Sequence, residues 1–352
     1  MEFESLPTTP TAEELVDQAF SRAARAGRAK HGVEAQESML QTASNVLADN
    51  LANVVRAWPD FDELDPFYRE LAEAVLGSAD EFHVDEEAEG GSVDALRRSL
   101  SELSWASRKT KELGREYQGR VRGKDPDAAR KIRKQAFARM ADVVDEVEGD
   151  LARVAAAREA LRRLPDIRPD VPTIVVAGYP NVGKSSFVNA VTNARVEVAE
   201  YPFTTKGVHV GHVAQRHVRY QLVDTPGLLD RPESERNDIE RQAVSALTHL
   251  ADCVLVFVDP SETCGYPLDA QLELRDRVAG RFGDVPVLTV SNKADRSTDV
   301  EADHYVSVTE DEAIAGKESA DEGVVVESLD DLLAAAVDAI GYEPELPSRG
   351  EK

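Results

Sequence analysis

An N-terminal α-helical bundle followed by an α/β domain with a mostly parallel, doubly wound sheet is the fold class this sequence predicts. Three observations carry that prediction. Apolar residues recur every three or four positions through most of residues 1–165. The stretch Leu164-Pro165-Asp166-Ile167-Arg168-Pro169-Asp170-Val171-Pro172 then breaks the pattern with three prolines. From Thr173 onward, short β-branched runs alternate with helical patterns, as parallel strands with crossover helices require. The expected divisions are a helical domain over 1–165, a linker over 166–172, an α/β domain over 173–341 and a disordered tail over 342–352.

Thr11-Ala12-Glu13-Glu14 is a capping box, and Leu15, Ala19 and Ala23 follow on one helix face. A second amphipathic helix runs through Asn50 to Ala57 and stops before Pro59. Residues 80–91, acidic and glycine-rich, read as a loop. Ser92 to about Arg122 carries Val93, Leu96, Leu100, Leu103, Leu113, Tyr117 and Val121 on one face. Asp125-Pro126 is a cap followed by a first-turn proline. Beyond it, Ile132, Ala136, Met140, Val143, Val147, Leu151, Val154 and Leu161 recur until Pro165, as one very long helix or as two divided near Gly149. Antiparallel packing of such helices makes a bundle. In the second half, Thr173–Ala177 and Val285–Val290 read as strands. Val208–Val213 and His217–Val223, joined by Gln215-Arg216, suggest an antiparallel hairpin. Residues 296–327 read as loop with one short strand at His304-Tyr305-Val306, and Ser328 caps a last helix through Ile340.

Gly178-Tyr179-Pro180-Asn181-Val182-Gly183-Lys184-Ser185 is a complete phosphate-binding loop between a strand and a helix-forming run that starts at Ser186. Its backbone N–H groups would converge on phosphates at a helix N-terminus. Lys184 would reach the β- and γ-phosphates, and the Ser185 hydroxyl would ligate Mg²⁺. Asn292-Lys293-Ala294-Asp295 follows the later strand. The Asp295 carboxylate can accept N–H bonds from N1 and N2 of guanine, a donor pair adenine lacks, so GTP is expected over ATP. Asn292 would tie this segment to the phosphate loop, and the Lys293 stem would cover the base. Asp224-Thr225-Pro226-Gly227 ends a strand. There Asp224 would hold Mg²⁺ through water and the Gly227 N–H would meet the γ-phosphate. Phe203-Thr204-Thr205 lies in a segment that a γ-phosphate would order. Ser307 is the candidate for a further guanine contact, through its backbone N–H. Lys184, Thr205 and Gly227 are the candidate catalytic residues.

Leu228 stands where many GTPases carry the glutamine that orients the attacking water, so slow intrinsic hydrolysis is expected. Asn181 either ligates a K⁺ ion beside the phosphates or only braces its own loop. The alternative to K⁺ is an activating group from RNA or protein.

The 352 residues carry a net charge of −25, and only 11 of the 41 basic residues are Lys. An acidic, Lys-poor surface suits a salt-rich cytoplasm and suggests a halophilic, archaeal host. Between Arg97 and Arg139, however, 14 Lys/Arg face five acids. Such a basic island reads as an RNA phosphate-backbone surface; the alternative is a solvated helix face. Cys253 and Cys264 have no partners at metal-ligand spacing and are expected as reduced thiols. No signal pattern or apolar run of membrane-spanning length occurs, so a soluble, cytoplasmic monomer is expected.

The chain resembles the Nog-type branch of the Obg-related GTPases. The residues that carry the likeness are Gly178 to Phe187 with Asn189, Phe203-Thr204-Thr205-Lys206, Val210-Gly211-His212, Asp224 to Asp230 with Glu235-Arg236-Asn237, Ala246 to Leu250 and Ser261 to Tyr266. In the helical half they are Pro66-Phe67-Tyr68, Ala138-Arg139-Met140 and Arg163-Leu164-Pro165. The resemblance implies a P-loop GTPase (G) domain with Ser185 and Thr205 as Mg²⁺ ligands. It also implies a role in assembling the large ribosomal subunit, bound to rRNA and meeting ribosomal proteins or assembly factors. The archaeal form, without the long C-terminal extension of eukaryotic members, is the expected type. A nucleotide-stabilised structural placeholder with incidental GTP turnover is the second reading.

Overall fold

The computed structural model describes residues 3, 5–77, 91–162, 164, 167–192, 196–199, 208–224, 229, 238–309 and 324–342. They form two compact units, one of residues 2–64 and 75–162, the other of residues 65–74 and those from 163 onward. Before the sheet come α1 (Ala12–Arg28), α2 (Gly32–Arg56), α3 (Pro66–Gly77), α4 (Ser92–Val121), α5 (Pro126–Glu146) and α6 (Glu148–Leu161). The loop expected at 80–91 lies outside the described residues except for Gly91, which caps α4.

Local chemistry starts α1 and α5 where the sequence places them. Glu14 N–H donates to Thr11 Oγ1 at 3.2 Å and Thr11 N–H donates to Glu14 Oε2 at 2.9 Å, closing the capping box. Asp125 accepts from the N–H groups of Asp127 and Ala128 at 3.1 and 2.9 Å. These bonds, the one from Ala128 foremost, hold its carboxyl below the usual range. The long periodic run is two helices, divided at Val147 (φ −104°, ψ 15°), close to Gly149 as the second of the two readings expects. The apolar stripes face one core: Leu15 and Ala19 of α1, Leu47 and Leu51 of α2, Leu103 of α4, Met140 of α5 and Val154 of α6 are at most 1% exposed. Glycine sets the approach of α2 to α4. A Cβ on Gly114 would lie 2.4 Å from Ser44 Oγ and 2.5 Å from Ser44 Cβ. About two turns earlier on α4, Ser107 Oγ donates to Ala48 O at 2.8 Å. Tyr117 is 7% exposed, and the Arg120 guanidinium lies over its ring at 4.4 Å. It is a core residue, as its place on the apolar face of α4 predicts.

The second unit is built on a sheet of β1 (Thr173–Ala177), β2 (Val196–Ala199), β3 (Val208–Gln215), β4 (Val218–Asp224), β5 (Cys253–Val258), β6 (Val287–Ser291) and β7 (His304–Tyr305). The order is β2-β3-β4-β1-β5-β6-β7. β4, β1, β5, β6 and β7 are parallel, and β3 pairs antiparallel with both β2 and β4. The hairpin turns through Arg216 (φ 50°) and His217 (φ 68°), the two left-handed residues of a two-residue loop whose twist matches the strands. β2 has no counterpart in the sequence reading. The helices α7 (Lys184–Val191), α8 (Asp238–Leu250), α9 (Leu268–Phe282) and α10 (Leu329–Ile340) complete this unit. Ile174, Val176, Leu222 and Phe257 share a core with Phe187 of α7 and Leu332 and Ala336 of α10. The alternate residues Val175, Val254 and Val256 are equally buried, so both faces are covered, as parallel strands require.

Residues 65–74, which sequence places in the helical half, belong to this second unit. Tyr68 Oη donates to the Ile167 carbonyl, and Glu70 Oε1 lies 3.0 Å from His249 Nε2 of α8. Phe67, Leu71 and Ala72 are fully buried. Helical periodicity tells which face of α3 is buried but not which neighbour buries it.

Gly114→Ala tests the α2–α4 contact. Helix propensity alone would stabilise by about 1 kcal/mol, whereas a Cβ forced against Ser44 should destabilise by about 1–3 kcal/mol. Urea unfolding followed by far-UV circular dichroism reads the sign, and a more stable variant would contradict the close approach.

Candidate functional site

The loops at the carboxyl ends of the parallel strands meet beside β1, whose neighbours β4 and β5 lie on opposite sides. Ligands bind at such a switch point in open α/β sheets. The loop after β1 needs its glycines. Gly178 has φ 135°, and a Cβ there would sit 2.5 Å from the Phe257 carbonyl oxygen. Gly183 has φ 109°, and a Cβ there would sit 2.1 Å from Asn292 Nδ2. Asn181 is left-handed too, at φ 63°, and its side chain is exposed. Lys184 opens α7 and is 6% exposed. Its ammonium donates to the carbonyls of Gly178 and Tyr179 at 2.7 and 2.8 Å, which closes the loop into a concave backbone cradle. Val182 is fully buried under it.

Ser185, one residue into α7, donates its hydroxyl to Asp224 Oδ2 at the end of β4. Asp224 is fully buried, and its Oδ1 has no hydrogen-bond partner among the described residues. His209 of β3 approaches the other oxygen at 3.4 Å. That hydrogen bond raises the imidazole pKa against the opposing effect of burial. A hydroxyl and a buried carboxylate oxygen with a free lone pair form an all-oxygen donor set that fits a hydrated Mg²⁺.

Asn292 follows β6, is 2% exposed, and uses both ends of its amide. Nδ2 donates to the Val182 carbonyl at 2.7 Å and Oδ1 accepts the Val308 N–H at 3.0 Å. Asp295 Oδ1 accepts the Ser307 hydroxyl at 2.6 Å, and Arg296 Nε lies 3.5 Å from Oδ2. Ser307 therefore reaches this segment by its side chain, a contact the sequence reading did not include. Lys293 sits at φ 61°, and its ammonium bonds Asp259 Oδ2 at 2.6 Å and Thr263 Oγ1 at 2.9 Å. Tyr179 stacks on Tyr266, ring centroids 4.2 Å apart.

Of the residues singled out in the sequence, Gly178 to Ser186, Asp224, Asn292, Lys293, Asp295 and Ser307 are thus placed at one end of the sheet. Phe203, Thr204, Thr205, Thr225, Pro226, Gly227 and Leu228 lie outside the described residues. Asp259, Gln271 and Tyr266 were missed as contributors. In the sequence, Ser261 to Tyr266 carries only the family likeness, because nothing local ties it to a lysine 34 residues from Asp259.

The parallel sheet, the glycine-shaped loop after β1 and the Asn-Lys-x-Asp segment after β6 define a P-loop GTPase domain. The NOG1 N-terminal helical domain matches residues 3–168, and the nucleolar GTP-binding protein 1 (NOG1) family matches residues 238–295. An uncharacterised protein of Methanocaldococcus jannaschii is 37% identical over 303 residues, covering 83% of this chain and 81% of that one. The chain belongs to the nucleolar GTP-binding protein 1 family. The family's Drosophila melanogaster protein is 36% identical over 248 residues, covering 70% of this chain but 36% of its own length. A Plasmodium falciparum crystal structure assigned to nucleolar GTP-binding protein 1 shares 28% identity, with 51% of this chain and 90% of that one covered at a TM-score of 0.42. The chain thus spans little more than a third of its Drosophila relative. Among the described residues no helix is long and apolar enough to cross a membrane.

Asp295→Asn replaces two acceptors by one acceptor and one donor, the pattern xanthine needs. Weaker GTP binding with gained XTP binding is the expected result in nucleotide titrations. Equal GTP affinity in the two proteins would remove Asp295 from base recognition.

Proposed function

We propose that this protein binds and hydrolyses GTP and acts in assembly of the large ribosomal subunit, with rRNA held by its helical half. For the nucleotide part, the supporting observation is the Asn292 amide. It joins the phosphate loop to the segment that carries Asp295, so one ligand can meet both. In this reading the loop N–H groups and Lys184 hold the phosphates. Ser185, Asp224 through water, and Thr205 hold Mg²⁺, which would offset phosphate charge. Asp295 reads the guanine edge, with Ser307 supporting its carboxylate. Gly227 meets the γ-phosphate, and Phe203-Thr204-Thr205 changes with nucleotide state. Leu228 cannot orient water, so hydrolysis needs a further group. Asn181, exposed at the turn of the phosphate loop, is the candidate K⁺ ligand. Faster hydrolysis in K⁺ than in Na⁺ at equal ionic strength, lost in Asn181→Ala, is expected. Equal rates would assign activation to an external partner.

Support for the RNA part comes from which basic residues remain unpaired. Lys109 and Lys111 are tied to Glu112 and Asp49, each at 3.1 Å. Arg120 pairs with Glu116 at 3.5 Å. By contrast Arg98, Arg108, Arg115, Arg122, Lys124, Lys131, Lys134 and Arg139 are exposed, and none has an ion pair among the described residues. Arg108 and Arg115 of α4 and Arg122 at its C-cap are seven apart, which keeps them on one stripe with about 20° of drift per step. In a chain of net charge −25, an unneutralised basic stripe suits a polyanion. The Drosophila relative is named for the nucleolus and for GTP binding, which fits ribosome assembly as the setting.

Reversing Arg108, Arg115 and Arg122 to Glu in the full chain should abolish binding to large-subunit rRNA in filter assays while GTP binding persists. The wild-type affinity should fall with salt, by roughly 0.7–0.9 in the log–log slope per phosphate contact. Unchanged RNA binding by the reversed protein would make the stripe a solvated face. Leu228 also favours the placeholder reading. Precursor particles that bind the GTP-analogue and GDP forms equally would support it.

A further inference from the structure

The ammonium of Lys293 is held inside the protein by a segment outside the nucleotide motifs. Asp259 follows β5 and is fully buried. Besides Lys293 Nζ at 2.6 Å, its carboxylate accepts Thr263 Oγ1 at 3.0 Å and the N–H groups of Cys264 and Ser261 at 2.8 and 3.0 Å. Burial pushes this carboxyl up, but the bonds from Lys293, Ser261 and Thr263 outweigh it and hold it below the usual carboxylate range. Gln271 of α9, 1% exposed, clamps the same segment. Its Oε1 accepts the Asp259 N–H at 2.7 Å, and its Nε2 donates to the Tyr266 carbonyl at 2.9 Å. The segment 259–266 is thus fixed at both ends. It grips the base-side loop through Lys293 and touches the phosphate loop through the Tyr266–Tyr179 stack. Lys293 is left-handed, at φ 61°. A long side chain in that sparsely populated region needs its surroundings to hold it there.

We propose that Asp259 is a positioning residue for guanine nucleotide: by anchoring the Lys293 ammonium it fixes the Lys293 stem as the wall against which the base face packs. The proposal rests on the reading that the 292–295 segment meets the base. Asp259 does not touch the ligand. Its effect passes through Lys293 and therefore belongs to the base, not to the phosphates. Holding the stem in advance leaves less side-chain freedom to lose when the nucleotide binds.

Titration calorimetry of the full chain with GDP and with tripolyphosphate, which has no base, separates these contributions. Asp259→Asn should weaken GDP binding about tenfold and leave tripolyphosphate binding unchanged. Lys293→Met keeps most of the stem and removes the charge. The Asp259→Asn/Lys293→Met pair should bind GDP no worse than the weaker single variant, because partners acting as one unit are not additive. Multiplying losses in the pair, or a parallel loss of tripolyphosphate binding, would overturn the proposal and leave Asp259 a brace of the fold. Should Asp259→Asn fail to fold, Thr263→Val removes the second acceptor of Lys293, and the same GDP-only loss, about threefold, is expected; unchanged GDP binding there overturns the proposal as well. Asp295→Asn is run alongside. If it binds GDP like wild type, the base-side reading itself fails, whereas a loss there with additive Asp259 and Lys293 effects removes only the present inference.

Discussion

Two hydrogen bonds from one buried amide hold the nucleotide end of the sheet together. Asn292 donates to the Val182 carbonyl and accepts from the Val308 N–H, so the segments that follow β1, β6 and β7 share one side chain. An amide is suited to this, because it is both donor and acceptor and carries no charge to desolvate. The contact also sets the residue opposite it. Only glycine fits at 183, where a Cβ would lie 2.1 Å from the amide nitrogen, and the left-handed turn there starts α7 at Lys184. The approach of two loops, the direction of a helix and the position of a lysine thus follow from one packing constraint.

Charge is placed with similar economy. Lys is scarce in this chain, with 11 residues in 352, yet two of them are largely buried at the site, each with assigned acceptors. Lys184 has the loop carbonyls, and Lys293 has a buried carboxylate and a hydroxyl. Buried ammonium groups persist only when their hydrogen bonds are satisfied. In the helical unit the logic is reversed. Acids on α4 neutralise Lys109 and Arg120, while the Arg108, Arg115 and Arg122 stripe is left to solvent. Exposed ion pairs contribute little to stability. Their consequence here is to decide which positive charges remain available to a partner.

The two units show different routes to a core. Period reads α1, α4 and the α5–α6 run of the first unit, since Leu, Val and Ala recur on one face and caps such as Thr11 and Asp125 mark starts, but it reads only the end of α2 (Gly32–Arg56). The small residues between α2 and α4 carry no such signal. Gly114 and Ser44 look like weak helix formers until the facing helix is present. In the sheet, continuous apolar runs identify β1 and β6. β2 went unread because its four residues, Val196–Ala199, include a charge and lack flanking turn signals.

What the sequence by itself determined is whatever is encoded in consecutive residues. The eight-residue phosphate loop, the Asn-Lys-x-Asp segment, the existence of the β3–β4 hairpin (its turn one residue later than the Gln215-Arg216 expected), the caps and the helix faces are of this kind, because backbone conformation and periodicity are local properties. What only the tertiary structure decided are the contacts between residues far apart in sequence. Asn292 finds Val182 across 110 positions, Lys293 finds Asp259 across 34, and residues 65–74, most of α3, join the sheet unit rather than the bundle around them in sequence. Period and composition say which side chain must be buried or paired. They do not say with what, because several partners satisfy the same burial and hydrogen-bonding demand until the strand order selects one.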